Sequence, residues 1–158
     1  MKAVMYHYVR EFNPTLPFFR YLDAKNFTKQ LDYFGSEYGF VSKQDWIRVL
    51  KDKSLGNAKG KILLTFDDAM SCHYDYVFQE LKKRDLWGIF YVPAQPYQKN
   101  KILDVHRIHL LCGAFEGVKL IALLKSLLDK SMMTDEEIKE FQNLPYSSQD
   151  NYKGVSEF

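Results

Sequence analysis

Apolar positions in this chain fall into two alternating patterns, compact runs and helical stripes. Residues 2–8, Lys-Ala-Val-Met-Tyr-His-Tyr, form a short, mostly apolar run that predicts a first strand. A loop held by Pro14 and Pro17 follows. Phe27, Leu31, Phe34 and Tyr38 then recur at helical spacing, predicting a helix over 24–38 with Asp23 as N-cap and Gly39 as stop. Ser42-Lys43-Gln44-Asp45 resembles a capping box and opens a second short helix carrying Trp46, Ile47 and Leu50. Residues 57–60 read as a turn. Residues 61–66, Lys-Ile-Leu-Leu-Thr-Phe, show no alternation, the pattern of a strand buried on both faces of a parallel sheet. A helix is expected over 74–84, with Tyr74, Val77, Phe78 and Leu81 on its apolar face, then a strand over 87–92 ended by Pro93. Three helices are expected after it, over 103–115, 118–128 and 134–141, the last opened by Thr134 and Glu137 as a second capping box.

Strands alternating with helices imply an α/β fold with parallel strands, flanking helices and right-handed crossovers. Only three strands are convincing, whereas a closed α/β barrel typically takes about 250 residues. The 158 residues therefore read as a single domain that closes no barrel alone, and the polar, turn-rich stretch 145–158 reads as a chain cut in mid-domain. Hydrophobic residues at 46% give ample core, and aromatics at 16% add rings that could stack on sugar-like ligands.

Charge removes several function classes. The net charge of +2 lacks the basic stripe of a nucleic-acid binder, and Asp52 interrupts the loose group Lys51, Lys53, Lys59 and Lys61, which reads as a solvated loop. The apolar stretch 118–128 is broken by Lys119 and Lys125 and falls far short of a bilayer span. The opening residues lead directly into a strand rather than forming a signal peptide, so the expected location is cytoplasmic, with Cys72 and Cys112 as thiols.

Candidate chemistry gathers at two places. Asp67 and Asp68 follow the 61–66 run, and strand C-termini converge on the ligand crevice in parallel α/β proteins. Neighbouring residues at a strand end point in different directions, so one carboxylate can bind a metal while the other accepts a proton. The alternative is that one caps a helix beginning near Ser71 and the other is solvated. His106 and His109 form an HxxH pair whose three-residue offset puts both rings on one helix face, although two such histidines can equally be ordinary surface residues. One Asp and two His make a three-ligand set that leaves a position open for water, as catalytic metal sites do. His7, at the end of the first strand, could open onto the same crevice or be satisfied by nearby backbone. His73 reads as a first-turn helix residue rather than a substitute ligand, and Tyr91 as core packing.

Thr65-Phe66-Asp67-Asp68 resembles the first motif of the polysaccharide deacetylases, the NodB-homology carbohydrate esterases. Met5-Tyr6-His7 is similar to the Tyr-His pair on the first strand of many members, and 88–93 falls where they have an Ala-Thr-Phe-Phe-like strand. The His pair follows where their second, metal-binding motif belongs, so the resemblance spans roughly residues 1 to 112. It implies a partial distorted (β/α) barrel of NodB-homology type that lacks its C-terminal half. It also implies Asp67 as catalytic base, Asp68, His106 and His109 as metal ligands, and zinc as the usual divalent ion. The implied activity is metal-dependent N-deacetylation of an acetamido sugar in polysaccharide or glycan-precursor metabolism. Three departures stand against the pattern: Ala69 replaces the usual Gly, the histidines are three rather than four apart with Arg107 between, and the later groove and acid-histidine motifs have no counterpart. His7 is then the only candidate acid.

The competing reading is a non-catalytic, degenerate or truncated deacetylase fold that binds a sugar or a protein partner. An exposed half-barrel edge would invite pairing with another chain, a second copy included, as a homo-oligomer. Phosphoryl transfer is weaker, since no glycine-rich phosphate cradle occurs and magnesium prefers oxygen ligands.

Overall fold

The computed structural model describes residues 1–127, Met132, 134–137 and Lys139. The chain divides into two compact units, Met1–Asn13 with Arg20–Lys101, and Pro14–Phe19 with the described residues from Ile102 on.

The first unit is built on three parallel strands in the order β1 (Lys2–Tyr6), β4 (Ile62–Phe66), β5 (Ile89–Phe90), beside a parallel pair of β2 (Val9–Arg10) and β3 (Leu22–Asp23). Lys2 to Tyr6 pair in register with Ile62 to Phe66, and Thr65 and Phe66 pair with Ile89 and Phe90. All five residues of β4 are buried, as its unalternating run requires. Ile62, Leu64 and Phe66 join Tyr6, Val9, Phe27, Leu31, Val77 and Leu81 in the larger core cluster. Leu63 packs with Val41 and Ala58 in a second cluster, flanked by Trp46, Val49, Trp87 and Ile89. At about 1.5–3 kcal/mol for each fully buried large aliphatic or aromatic side chain, the middle strand is the most strongly held element of this unit.

Local capping set the helix starts as expected. Helix α1 (Ala24–Glu37) begins at Asp23, whose carboxylate accepts from the Lys25 N–H at 2.9 Å, and Gly39 follows its end at φ +68°. Phe27 and Leu31 are buried and Phe34 packs on the core, while Tyr38 is exposed. Helix α2 (Lys43–Asp52) begins at Ser42, whose Oγ accepts from the Asp45 N–H at 3.0 Å and donates to the Asp45 carboxylate at 2.8 Å. Its inward residues are Trp46 and Val49; the expected Ile47 and Leu50 lie outside.

Three elements differ from expectation. The helix expected over 74–84 opens with a wide π-helical segment, His73–Phe78, and continues as α3 (Gln79–Lys83). It turns His73, Val77 and Leu81 inward, and Tyr74 and Phe78 stack on each other outside, centroids 5.9 Å apart. The strand expected over 87–92 is paired only at Ile89–Phe90, because β4 ends opposite Phe90 and offers no further ladder. A helix not foreseen, α4 (Ala94–Lys99), follows Pro93 and ends at Asn100 in the left-handed conformation, a stop that asparagine tolerates.

In the second unit α5 (Asp104–Ala114) and α6 (Gly117–Leu127) match two of the expected helices within a residue at each end. The Phe18 N–H donates to the Gly113 carbonyl at 2.9 Å, and the Phe19 ring lies against the space a Gly113 Cβ would fill. Thr134 and Glu137 make the second capping box: the Glu137 N–H donates to Thr134 Oγ1 at 3.2 Å, and Glu137 accepts from the Thr134 N–H at 2.7 Å. Residues 138, 140 and 141 of the expected 134–141 helix, and 145–158, lie outside the described residues. Among the described residues no helix is long and apolar enough to cross a membrane.

Candidate active site

Because Tyr6 and Phe66 are register partners, the residues just past them, His7 and Asp67, emerge side by side at the C-terminal edge of the sheet. The Asp67 N–H donates to the Tyr6 carbonyl at 3.0 Å, and the Tyr91 N–H donates to the Phe66 carbonyl at 2.8 Å, so the peptide before Asp67 is tied to both neighbouring strands. The chain then turns through two left-handed residues, Asp68 at φ +74° and Ala69 at φ +46°. Ala69 thus adopts the backbone region that a glycine there would enter freely.

This turn brings both carboxylates to the His7 ring. His7 Nε2 lies 3.9 Å from Asp67 Oδ2 and 3.8 Å from Asp68 Oδ2. These distances are too long for hydrogen bonds but within ion-pair range whenever the ring carries its second proton. All three side chains are partly open to solvent, His7 at 40%, Asp67 at 27% and Asp68 at 25%.

His73, expected as an ordinary first-turn residue, is buried beneath this group. Its Nε2 is 2.5 Å from the His7 carbonyl oxygen, and its ring meets Phe66 and Phe90 edge-on. Burial lowers its pKa below the usual histidine value, against a smaller upward effect of the His7 carbonyl. A signal for it was present in the spacing: His73, Val77 and Leu81 stand four apart, so the buried stripe includes the histidine. Tyr8 was also overlooked. Its phenol is pushed up to about 12, mainly by burial and next by the Asp68 charge. Tyr91, expected in the core, is exposed, since β5 ends just before it.

His106 and His109 sit on α5 in the second unit, one helical turn apart, with ring centroids at 6.5 Å and planes tilted by 38°. In donor type, a carboxylate and two imidazoles fit a zinc-type ion. Among the described residues, however, no group of three or more His, Cys, Asp or Glu is assembled to hold a metal. The ligand set therefore stays an inference from donor chemistry.

No protein-family model and no curated protein matches the chain. Among solved structures it is similar to the Streptococcus pyogenes deacetylase PplD in complex with acetate, at 24% identity over 70% of this chain and 52% of that one, TM-score 0.48. It is also similar to a de-N-acetylase from Aggregatibacter actinomycetemcomitans, at 19% identity over 64% and 41% of the two chains, TM-score 0.46. A third is IcaB from Ammonifex degensii, at 32% identity over 57% and 37%, TM-score 0.43. The chain spans about half the length of the first of these structures and less of the other two.

Proposed function

We propose that the chain is part of a metal-dependent sugar N-deacetylase, of the NodB-homology type that its strand-end motifs resemble. The observation that carries this reading is the meeting of His7, Asp67 and Asp68 at the C-terminal ends of β1 and β4. Amide hydrolysis needs a base for the attacking water and an acid for the leaving amine. Asp67 fills the first role, taking a proton as the water oxygen bonds to the acetamide carbon. His7, in its protonated form, fills the second, giving its proton to the sugar nitrogen as the C–N bond breaks. Acetate and a free amino sugar result.

Asp68, His106 and His109 would hold the divalent ion, zinc by donor type; bound there, it supplies Lewis acidity to the substrate carbonyl. In this reading the sheet is a section of a distorted (β/α) barrel. The substrate is an acetamido sugar of polysaccharide or glycan-precursor metabolism. A second reading, a non-catalytic sugar- or protein-binding domain, is favoured by the three-residue spacing of His106 and His109 with Arg107 between, where the motif they resemble has four.

Metal content and acetate release together decide between them. We expect one tightly held zinc in the purified chain, lost in both Asp68→Asn and His106→Ala, and acetate release from an acetamido sugar that falls about 10²-fold or more in Asp67→Asn. No bound ion, with variants indistinguishable from the parent, would leave the binding-domain reading.

A further inference from the structure

We propose that His73 is a positioning residue that holds His7 at the site from within the core. The inference rests on the reading of His7 as the acid of the reaction. His73 is 3% exposed, and it opens the wide helical segment that packs beneath β4. Its ring stands between two aromatic neighbours, with centroids 5.7 Å from Phe66 and 6.0 Å from Phe90. Phe66 and Phe90 are themselves the last residues of β4 and β5. The ring is thus fixed to the strand ends that carry the site.

The bond it makes identifies its state. A carbonyl oxygen only accepts, so Nε2, at 2.5 Å from the His7 oxygen, must carry the hydrogen. In the neutral ring this leaves Nδ1 with a lone pair, and among the described residues buried Nδ1 has no hydrogen-bond partner. Packing alone does not explain an imidazole here. A phenylalanine would fill the same aromatic slot with no bare nitrogen. Among the described residues the one hydrogen bond of this ring goes to the peptide that joins His7 to Tyr8.

That peptide lies just beyond β1, where strand pairing no longer fixes the backbone. Pairing resumes only at the Tyr8 carbonyl, which accepts from the Leu22 N–H; before it, the last ladder contact of β1 is the Asp67 N–H on the Tyr6 carbonyl. One residue later, His73 takes over and pins the His7 carbonyl. With the backbone held on both sides of its Cα, the His7 side chain is directed to the carboxylates, 3.8 and 3.9 Å away. A misplacement of about 1 Å at a proton donor can lower a rate about 10²-fold.

The test uses the full chain, its His73→Phe variant and its His73→Gln variant, whose amide nitrogen can reach the same carbonyl. Ring-nitrogen NMR on the parent is expected to show His73 as the neutral Nε2–H tautomer. In His73→Phe the Tyr8 amide, which shares the pinned peptide, and the His7 ring signals should shift or split. His73→Gln should restore both. In the acetate-release assay kcat should fall at least about tenfold in His73→Phe with KM unchanged, and His73→Gln should recover most of it. A folded His73→Phe chain with the parent's Tyr8 and His7 signals would overturn the proposal, as would an Nδ1–H tautomer. Should His73→Phe fail to fold, the parent tautomer and the His73→Gln spectra decide alone. A parent that releases no acetate yet shows the expected tautomer and rescue would sink the deacetylase reading and leave the pinning of His7 standing.

Discussion

Ala69 stands at φ +46°, directly after Asp68 at φ +74°, in the turn that carries both carboxylates to His7. For a residue with a Cβ the left-handed region costs about 1–2 kcal/mol, and aspartate tolerates it better than alanine. The loop therefore keeps a shape that a glycine would adopt freely and retains the strain locally. Ala69→Gly removes that strain but raises the entropy of the unfolded chain by about 0.4–1 kcal/mol. The expected net effect is a gain of up to about 1.5 kcal/mol, read as a higher denaturant midpoint, whereas the β-branched Ala69→Val should lower it. A midpoint that moves in neither variant would show that this turn is not left-handed in solution. The site's outline was legible here because it depends on strand ends: two carboxylates after an apolar run, and a histidine after another. His73 was not legible as a brace, since its role depends on which face of a helix turns inward, and one wide turn alters that face.

At the scale of elements, β4 is enclosed on both faces and its last residue is enclosed by rings. Phe66 is fully buried, stacked at 5.5 Å on Tyr6 and 4.7 Å on Phe90. Gly88, just before β5, lets that ring approach: a Cβ there would meet Phe66 Cε2 at 2.6 Å and the Leu64 carbonyl oxygen at 3.2 Å. Phe66 has no open side to retreat to. Gly88→Ala should therefore destabilise the fold by about 1–3 kcal/mol, seen in urea or thermal unfolding. An unchanged stability would mean that β5 can slide off the Phe66 ring without loss. The capped starts were legible from sequence because each is decided within a few residues. Asp23, Ser42 and Thr134 cap by local hydrogen bonds. The length of β5 was misread because a strand exists only where a partner pairs with it, and β4 stops at Phe66. The sequence of 87–92 carries the apolar character of a strand but no record of where its neighbour ends.

For the whole molecule, His73, Tyr6 and Tyr8 bracket the pH range in which the fold is strongest. Burial lowers the pKa of His73, so between the ordinary histidine value of about 6.5 and its lower folded value the unfolded chain binds a proton that the folded chain does not. Stability there rises with pH, and acidification removes it. Tyr6 and Tyr8 act with the opposite sign, since burial pushes both up to about 12. From about pH 10 upward the unfolded chain loses phenolic protons that the folded chain retains, so stability falls as pH rises. Each fully buried group adds a slope of at most about 1.4 kcal/mol per pH unit in its window, and Tyr8, partly exposed, adds less. Asp45 and Glu80 belong to a lower range. Hydrogen bonds from Ser42 and from Arg84 hold their carboxyls below the ordinary value, so they lose stability only where carboxylates protonate. Denaturant midpoints from pH 5 to 11 should accordingly form a plateau between about pH 7 and 9.5, with a fall on each side. His73→Gln, uncharged throughout, should flatten the acid limb and leave the alkaline one. Tyr6→Phe should lower the plateau through loss of the 3.0 Å bond to Gln30, and flatten the alkaline limb. An acid limb as steep in His73→Gln as in the parent would place the titrating group elsewhere and remove His73 from the account of acid sensitivity.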